Sequence, residues 1–147
     1  MENKGDLEKE YVKFKEAEAL KILGFNERCL FAYDRIQMPC SDLRTNEQKF
    51  YGVNYNSSTY TSRPSFSQAF RWFREKYKLS HVIYNEIKIE NDSIVIENKF
   101  NYDINEYSKK DYNLGNPILS CEYCFSSYEE AELACLRELI EIVNEQE

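Results

Sequence analysis

Four features of this chain have the residue types for chemistry: a Cys-x-x-Cys pair, a lone histidine, clustered carboxylates, and one segment that interleaves bases with aromatics. Cys121 and Cys124, in SCEYCF, have the spacing of half a zinc site or of a dithiol redox motif. A structural zinc ion takes four ligands, and the chain holds one histidine, His81, with no second Cys-x-x-Cys. A redox motif opens a helix whose dipole lowers the thiol pKa, whereas SCEYCF reads as an extended run with positions three apart on opposite faces. The five cysteines, an odd number, therefore read as reduced, buried thiols. His81 has no patterned partner to orient it as a general base. Glu129–Glu130 and Glu138–Glu141 fall on an acidic helix, where solvation is the simplest fate and the first-turn carboxylates suit the helix dipole. The four glycines form neither G-x-G-x-x-G nor a P-loop, so no phosphate cradle of those types exists. No catalytic residue, metal ligand or cofactor is expected from these patterns.

The fourth feature carries the most function. SFSQAFRWFREKYK, residues 65–78, sets Arg71, Arg74, Lys76 and Lys78 against Glu75 alone, among Phe66, Phe70, Trp72, Phe73 and Tyr77. With Arg63 the local net charge over 63–78 is +4, whereas residues 122–147, with eight Glu and one Arg, carry −7, equal to the excess of the whole chain. Arginine forms paired hydrogen bonds to phosphate or carboxylate, and neighbouring aromatics stack on bases. Arg63, Arg71, Trp72, Arg74 and Lys78 are accordingly the candidate contacts for a ligand or partner. The alternative is a core helix whose basic face is solvated or pairs with the chain's own acidic C-terminal helix. Tyr55, Tyr60, Tyr102, Tyr107 and Tyr112 add a weaker interface signal, although tyrosine is also an ordinary strand residue.

The elements that must position these residues follow from periodicity. Leu7, Tyr11, Phe14, Ala19, Leu20 and Leu23 recur at helical spacing and predict a helix over Asp6–Leu23, with Gly24 as its left-handed cap and Phe25 folding back on the last turn. CLFAYDR suits a strand, 36–48 a loop, and KFYGVNYN a second strand. NSSTYTSRP separates these from the basic helix, where Ser65 and Gln68 make a capping box and Phe66, Ala69, Phe70, Phe73 and Tyr77 form one stripe. Trp72 lies at its edge. Val82–Ile89, the turn ENDS and Ile94–Ile96 read as a hairpin. Residues 105–116 read as a polar loop or an extended hairpin tip, and ILSCEYCF as a last strand. Ser127 and Glu130 cap a final helix that presents Ala131, Leu133, Ala134, Leu136, Leu139, Ile140 and Val143 on one broad side. The order αββαβββα predicts an α+β fold, one domain over residues 1–147 with an antiparallel sheet covered by helices.

At 147 residues, with 12 Tyr and 9 Phe, the chain is long enough to bury a core without disulfides or metals. No apolar run approaches the roughly 20 residues of a membrane span. MENKGDLEKEY is charged and has no apolar signal region, so a cytoplasmic, membrane-free protein is expected. The net charge of −7 argues against a general nucleic-acid binder, whose footprint is a domain-wide basic surface.

Three anchors, KILGFNERCLFAYD (21–34), RPSFSQAFRWFREKY (63–77) and SYEEAELACLRELIEIV (127–143), resemble a group of small uncharacterised bacteriophage and prophage proteins of gut bacteria. They share a helix ending in Gly-Phe, a Pro-then-helix element with a Trp-x-Arg-Glu core (here Trp72, Phe73, Arg74 and Glu75), and a terminal Ser-Tyr-Glu-Glu-Ala helix. The resemblance implies a non-enzymatic accessory protein that binds a host or phage protein. The alternative is a nucleotide or nucleic-acid binder, such as a sequestering protein, working through helix 65–78. No catalytic residue comes with it. The oligomeric state is left open, a homodimer included.

Overall fold

A computed structural model of the chain describes residues 8–40, 52–91, 93–106, 117–121 and 124–146. Its elements are α1 (Phe14–Ile22), β1 (Phe31–Tyr33), β2 (Pro39–Cys40), β3 (Thr61–Arg63), α2 (Phe66–Tyr77), β4 (Leu79–Glu90), β5 (Ser93–Glu106), β6 (Leu119–Ser120) and α3 (Tyr128–Asn144). The fold is α+β, as the periodicities predict. The described strands form two antiparallel three-stranded sheets, β2-β1-β3 and β4-β5-β6, in place of the single sheet expected. The chain divides into two compact units, Met1–Ala69 and Phe70–Glu147.

In the first unit α1 opens at Phe14, later than the spacing of Leu7, Tyr11 and Phe14 predicts. Before it Glu8 and Lys9 are helical and Glu10 is a turn, and residues 11–13 interrupt the helix with an extended stretch. Tyr11 bridges Ser65, the Val12 N–H donates to the Pro64 carbonyl at 3.0 Å, and the Phe66 N–H donates to the Glu10 carbonyl at 3.1 Å. Tertiary pairing overrides helix propensity here, because the side chain of Arg63 draws both Glu8 and Tyr11 to itself. The far end of α1 follows expectation. Gly24 is left-handed at φ 85°, its N–H bonds the Lys21 carbonyl, and the Phe25 N–H bonds that of Leu20 at 2.9 Å. This is a Schellman closure, and its apolar clasp is the buried pair Leu20 and Phe25.

The strand expected over 49–56 is, among the described residues, a single bridge. Val53 exchanges two 2.9 Å backbone bonds with Cys29, and Gly52 reaches that position at φ 68°. The next strand is instead β3, within the segment read as a separator. Its Thr61, Ser62 and Arg63 are all buried. Ser62 tolerates burial because its polar groups are matched: its Oγ accepts from the Tyr55 N–H at 2.8 Å, and its N–H donates to Asn56 Oδ1 at 2.8 Å. Asn56 also donates to the Phe25 carbonyl, and the Lys21 ammonium holds the carbonyls of Ser57 and Tyr60. The loop before β3 is thus tied to the end of α1 by side chains. Within the segment read as a loop, Pro39 and Cys40 pair with β1; residues 41–48 lie outside the described residues, as do 107–116.

Helix α2 starts at the predicted capping box, with Gln68 N–H to Ser65 Oγ and Ser65 N–H to Gln68 Oε1, both 3.2 Å. It ends at Lys78, left-handed at φ 62°, which turns the chain straight into β4. In the second unit β4 and β5 form a long hairpin in which Glu90 pairs with Ser93. The pairing steps from Asn85–Phe100 to Ile87–Ile96, so the extra residues of the bulge sit on β5 and β4 runs uninterrupted. Ser127 caps α3 as expected, its Oγ accepting from the Glu130 N–H at 3.2 Å. The Glu130 carboxylate closes on Ser126 instead, meeting its hydroxyl at 2.7 Å. Ala131, Cys135, Leu136, Leu139, Ile140 and Val143 are the buried side of α3, which packs on β4 and β5. Leu79, Tyr102 and Ile104 are buried on the sheet beneath.

Candidate functional site

The periodicity of α2 sorts its side chains as predicted. Phe66, Phe70 and Phe73 are buried, and Arg71 and Arg74 are exposed on the side opposite. Two of the five candidate contacts are not at the surface. Trp72, expected at the edge of the stripe, is 5% exposed: its ring meets Phe73 and Tyr77 edge-on at 5.1 and 5.3 Å, and Lys76 lies over it with Nζ 4.8 Å from the centroid. The one tryptophan is therefore buried and offers no face for a base to stack on. Arg63 is also 5% exposed. Its guanidinium lies over the rings of Tyr11 (5.3 Å) and Tyr33 (5.1 Å) and pairs with Glu8 at 2.6 Å. It is an internal strut. Lys78 is half-buried, with its ammonium on the Glu75 carbonyl at 2.7 Å, closing the last turn of α2.

His81 stacks on Phe70 with centroids 3.6 Å apart and rings 18° from parallel. Burial, and then the positive charge of Arg74, lower its pKa to about 4, so the imidazole is neutral near pH 7. Among the cysteines, burial and then Glu27 raise Cys29 to about 12, and burial raises Cys135 further above the usual thiol range. Cys121 is half-buried and Cys124 exposed. Among the described residues no group of three or more His, Cys, Asp and Glu is arranged to hold a metal ion, and no helix is long and apolar enough to cross a membrane.

The surface that periodicity did not single out is the outer half of the β4–β5 hairpin. Alternate residues Leu79, His81, Ile83 and Asn85 of β4 share one face with Ile104, Tyr102 and Phe100 of β5, their register partners. This is the core face. It continues beyond Asn85 with Ile87 and Ile89, where exposure rises to 62% and 76%, and Ile94, paired with Ile89, is 73% exposed. Ile89 lies four positions beyond Asn85, so the apolar face extends about 14 Å past its covered part. The opposite face is polar and internally matched: Lys88 and Lys99 meet the two oxygens of Glu97 at 2.7 and 2.8 Å. The outer half of the hairpin thus carries an exposed isoleucine cluster on one face and ion pairs on the other. The sequence signal was present in IKI and IVI, but hydrophobic alternation reports which face is apolar and is silent on what covers it.

No protein family model, curated protein or solved structure matches the chain.

Proposed function

We propose that this chain is a non-enzymatic accessory protein that works by binding another protein, with the outer half of the β4–β5 hairpin as its contact surface. The observation that carries this reading is the core face of the sheet running on, uncovered, through Ile87, Ile89 and Ile94. Three large aliphatic side chains held on two paired strands lose little conformational freedom on docking, which favours association. The resemblance to small bacteriophage and prophage proteins supplies the setting, in which the bound protein belongs to a phage or its host and the complex forms in the host cytoplasm. The test is a pull-down from host lysate with the wild-type chain and with Ile89→Thr/Ile94→Thr, which keeps β-branched residues on the strands while removing apolar surface. A specific protein held by the wild type and lost by the variant supports the reading; equal capture by both overturns it.

A nucleotide or nucleic-acid ligand is the second reading, favoured by the exposure of Arg71 and Arg74 three residues apart on α2. With Arg63 and Trp72 internal, it keeps two arginines and Lys78 of its five contacts. Calorimetry with cyclic nucleotides and short oligonucleotides decides it: heats that fall steeply with salt support it, and flat traces at low salt remove it.

A further inference from the structure

We propose that two copies of this chain pair edge to edge through β4, antiparallel about Ile87, so that Glu86 of each copy faces Lys88 of the other. This goes beyond the binding function above and rests on other features of the same half of the hairpin, the backbone edge of β4 and the charges of its polar face, so variants of Glu86 and Lys88 test it apart from Ile89 and Ile94.

Among the described residues β4 pairs only with β5, which leaves its outer edge as one margin of the sheet. Edge strands are ordinarily short, bulged or broken by proline, because a straight row of unpaired N–H and C=O groups templates further pairing. Here the edge is 12 residues long, contains no proline, and leaves the bulge to β5. Its inner half lies near the covered core face, so the accessible part is Tyr84–Glu90, where most residues are exposed.

The side chains of that part fit a second copy. In antiparallel pairing, directly opposed residues lie on the same face, so a register that joins like faces must pair residues whose separation about the two-fold is even. Centred on Ile87, the register opposes Ile87 to Ile87, Glu86 to Lys88, Asn85 to Ile89 and Tyr84 to Glu90. Both charged positions meet their opposites twice, once on each side of the axis, and no like charges are opposed. Shifting the centre by one residue to Glu86 sets two glutamates against each other. The Lys88 ammonium already meets Glu97, and the side chain keeps 48% exposure, enough to accept a second carboxylate from the other copy. The register also brings the two isoleucine faces side by side on one surface of a continuous six-stranded sheet. Toward an unrelated strand the same charges act as guards, so Glu86-Ile87-Lys88 admits its own copy and discourages others.

The experiment is sedimentation velocity on the full chain, with circular dichroism to confirm that each variant is folded. The wild type is expected at twice the chain mass of 17.6 kDa. Lys88→Glu and Glu86→Lys, which oppose like charges, are each expected at the mass of one chain. The double variant Glu86→Lys/Lys88→Glu restores the dimer, and so does mixing the two single variants, since every opposed pair is then complementary. Recovery on mixing separates a lost contact from a damaged hairpin. A wild type of single-chain mass at the highest attainable concentration overturns the inference, and so does a dimer that survives both single reversals or singles that fail to recover on mixing.

Discussion

Replacing Arg63 by alanine provides the sharpest quantitative test of its placement as an internal strut. The side chain is 6% exposed, whereas its ion-pair partner Glu8 is 57% exposed, so the two ends of the pair are unequal. Removing Arg63 leaves a carboxylate that water can solvate, and the electrostatic loss is small, under about 1 kcal/mol. The larger losses are packing and ring contacts. Three buried methylenes are worth about 2 kcal/mol, and two ring faces at 5.1 and 5.3 Å add about 0.5–1 kcal/mol each. The return of a charged group to water offsets part of this, so Arg63→Ala should cost about 2–3 kcal/mol. Arg63→Lys keeps the charge but loses the planar group that lies over Tyr11 and Tyr33, and should cost about 1–2 kcal/mol. Glu8→Ala leaves the guanidinium, 6% exposed, on its two rings without a carboxylate, and the uncompensated buried cation should cost about 1–3 kcal/mol. Urea unfolding followed by far-ultraviolet circular dichroism gives all three. An Arg63→Ala cost above that of Arg63→Lys, with a measurable cost for Glu8→Ala, is the prediction; an Arg63→Ala cost below about 0.5 kcal/mol, the surface value, refutes it.

Three further perturbations test other parts of the fold. Phe70→Ala should cost about 3–5 kcal/mol and its helix neighbour Arg74→Ala only about 0.5 kcal/mol, both by urea unfolding; equal costs would make the basic face structural. Gly52→Ala should cost about 2 kcal/mol or more, since φ is +68° and the new Cβ would lie 2.7 Å from the Cys29 carbonyl oxygen. A melting temperature unchanged by that substitution would contradict the Cys29–Val53 bridge. His81, lowered from 6.5 to about 4 in the folded chain, binds its proton more readily unfolded. Its contribution, at most about 3 kcal/mol, is therefore complete above pH 6.5 and lost as pH falls toward 4. The urea midpoint of the wild type should fall across that window more than that of His81→Phe, and parallel curves would place His81 in water.

How much of this was legible in the sequence depended on whether local signals agreed with tertiary demand. The caps did: Ser65 with Gln68, Ser127 with Glu130, and Gly24 after α1 each satisfy backbone groups within a few residues, so local pattern sufficed. Glu130 shows the limit, since its side chain chose Ser126 one residue away from the expected partner. The hairpin was legible for the same reason, with its turn residues beside two runs of β-branched side chains. Strand β3 was not, because Thr61-Ser62-Arg63 has no hydrophobic signature; it is buried through a hydrogen bond to Asn56, one from Tyr55, and the rings around Arg63. The extended stretch before α1 was misread because Tyr11 and Phe14 sit at helical spacing while belonging to separate elements. At the candidate site, charge and aromatic content named α2, and two of the five residues turned inward. A net positive charge over a segment does not say which cations have an internal use.

Hydrogen–deuterium exchange on the protein alone and bound to the partner it captures tests the central proposal most directly, because it reports which backbone segments the contact protects. Slowed exchange across 85–91 and 93–99, with α2 unchanged, is the expected result. Protection confined to 66–78, with the hairpin exchanging as in the free protein, would contradict it and move the contact to the basic face of α2.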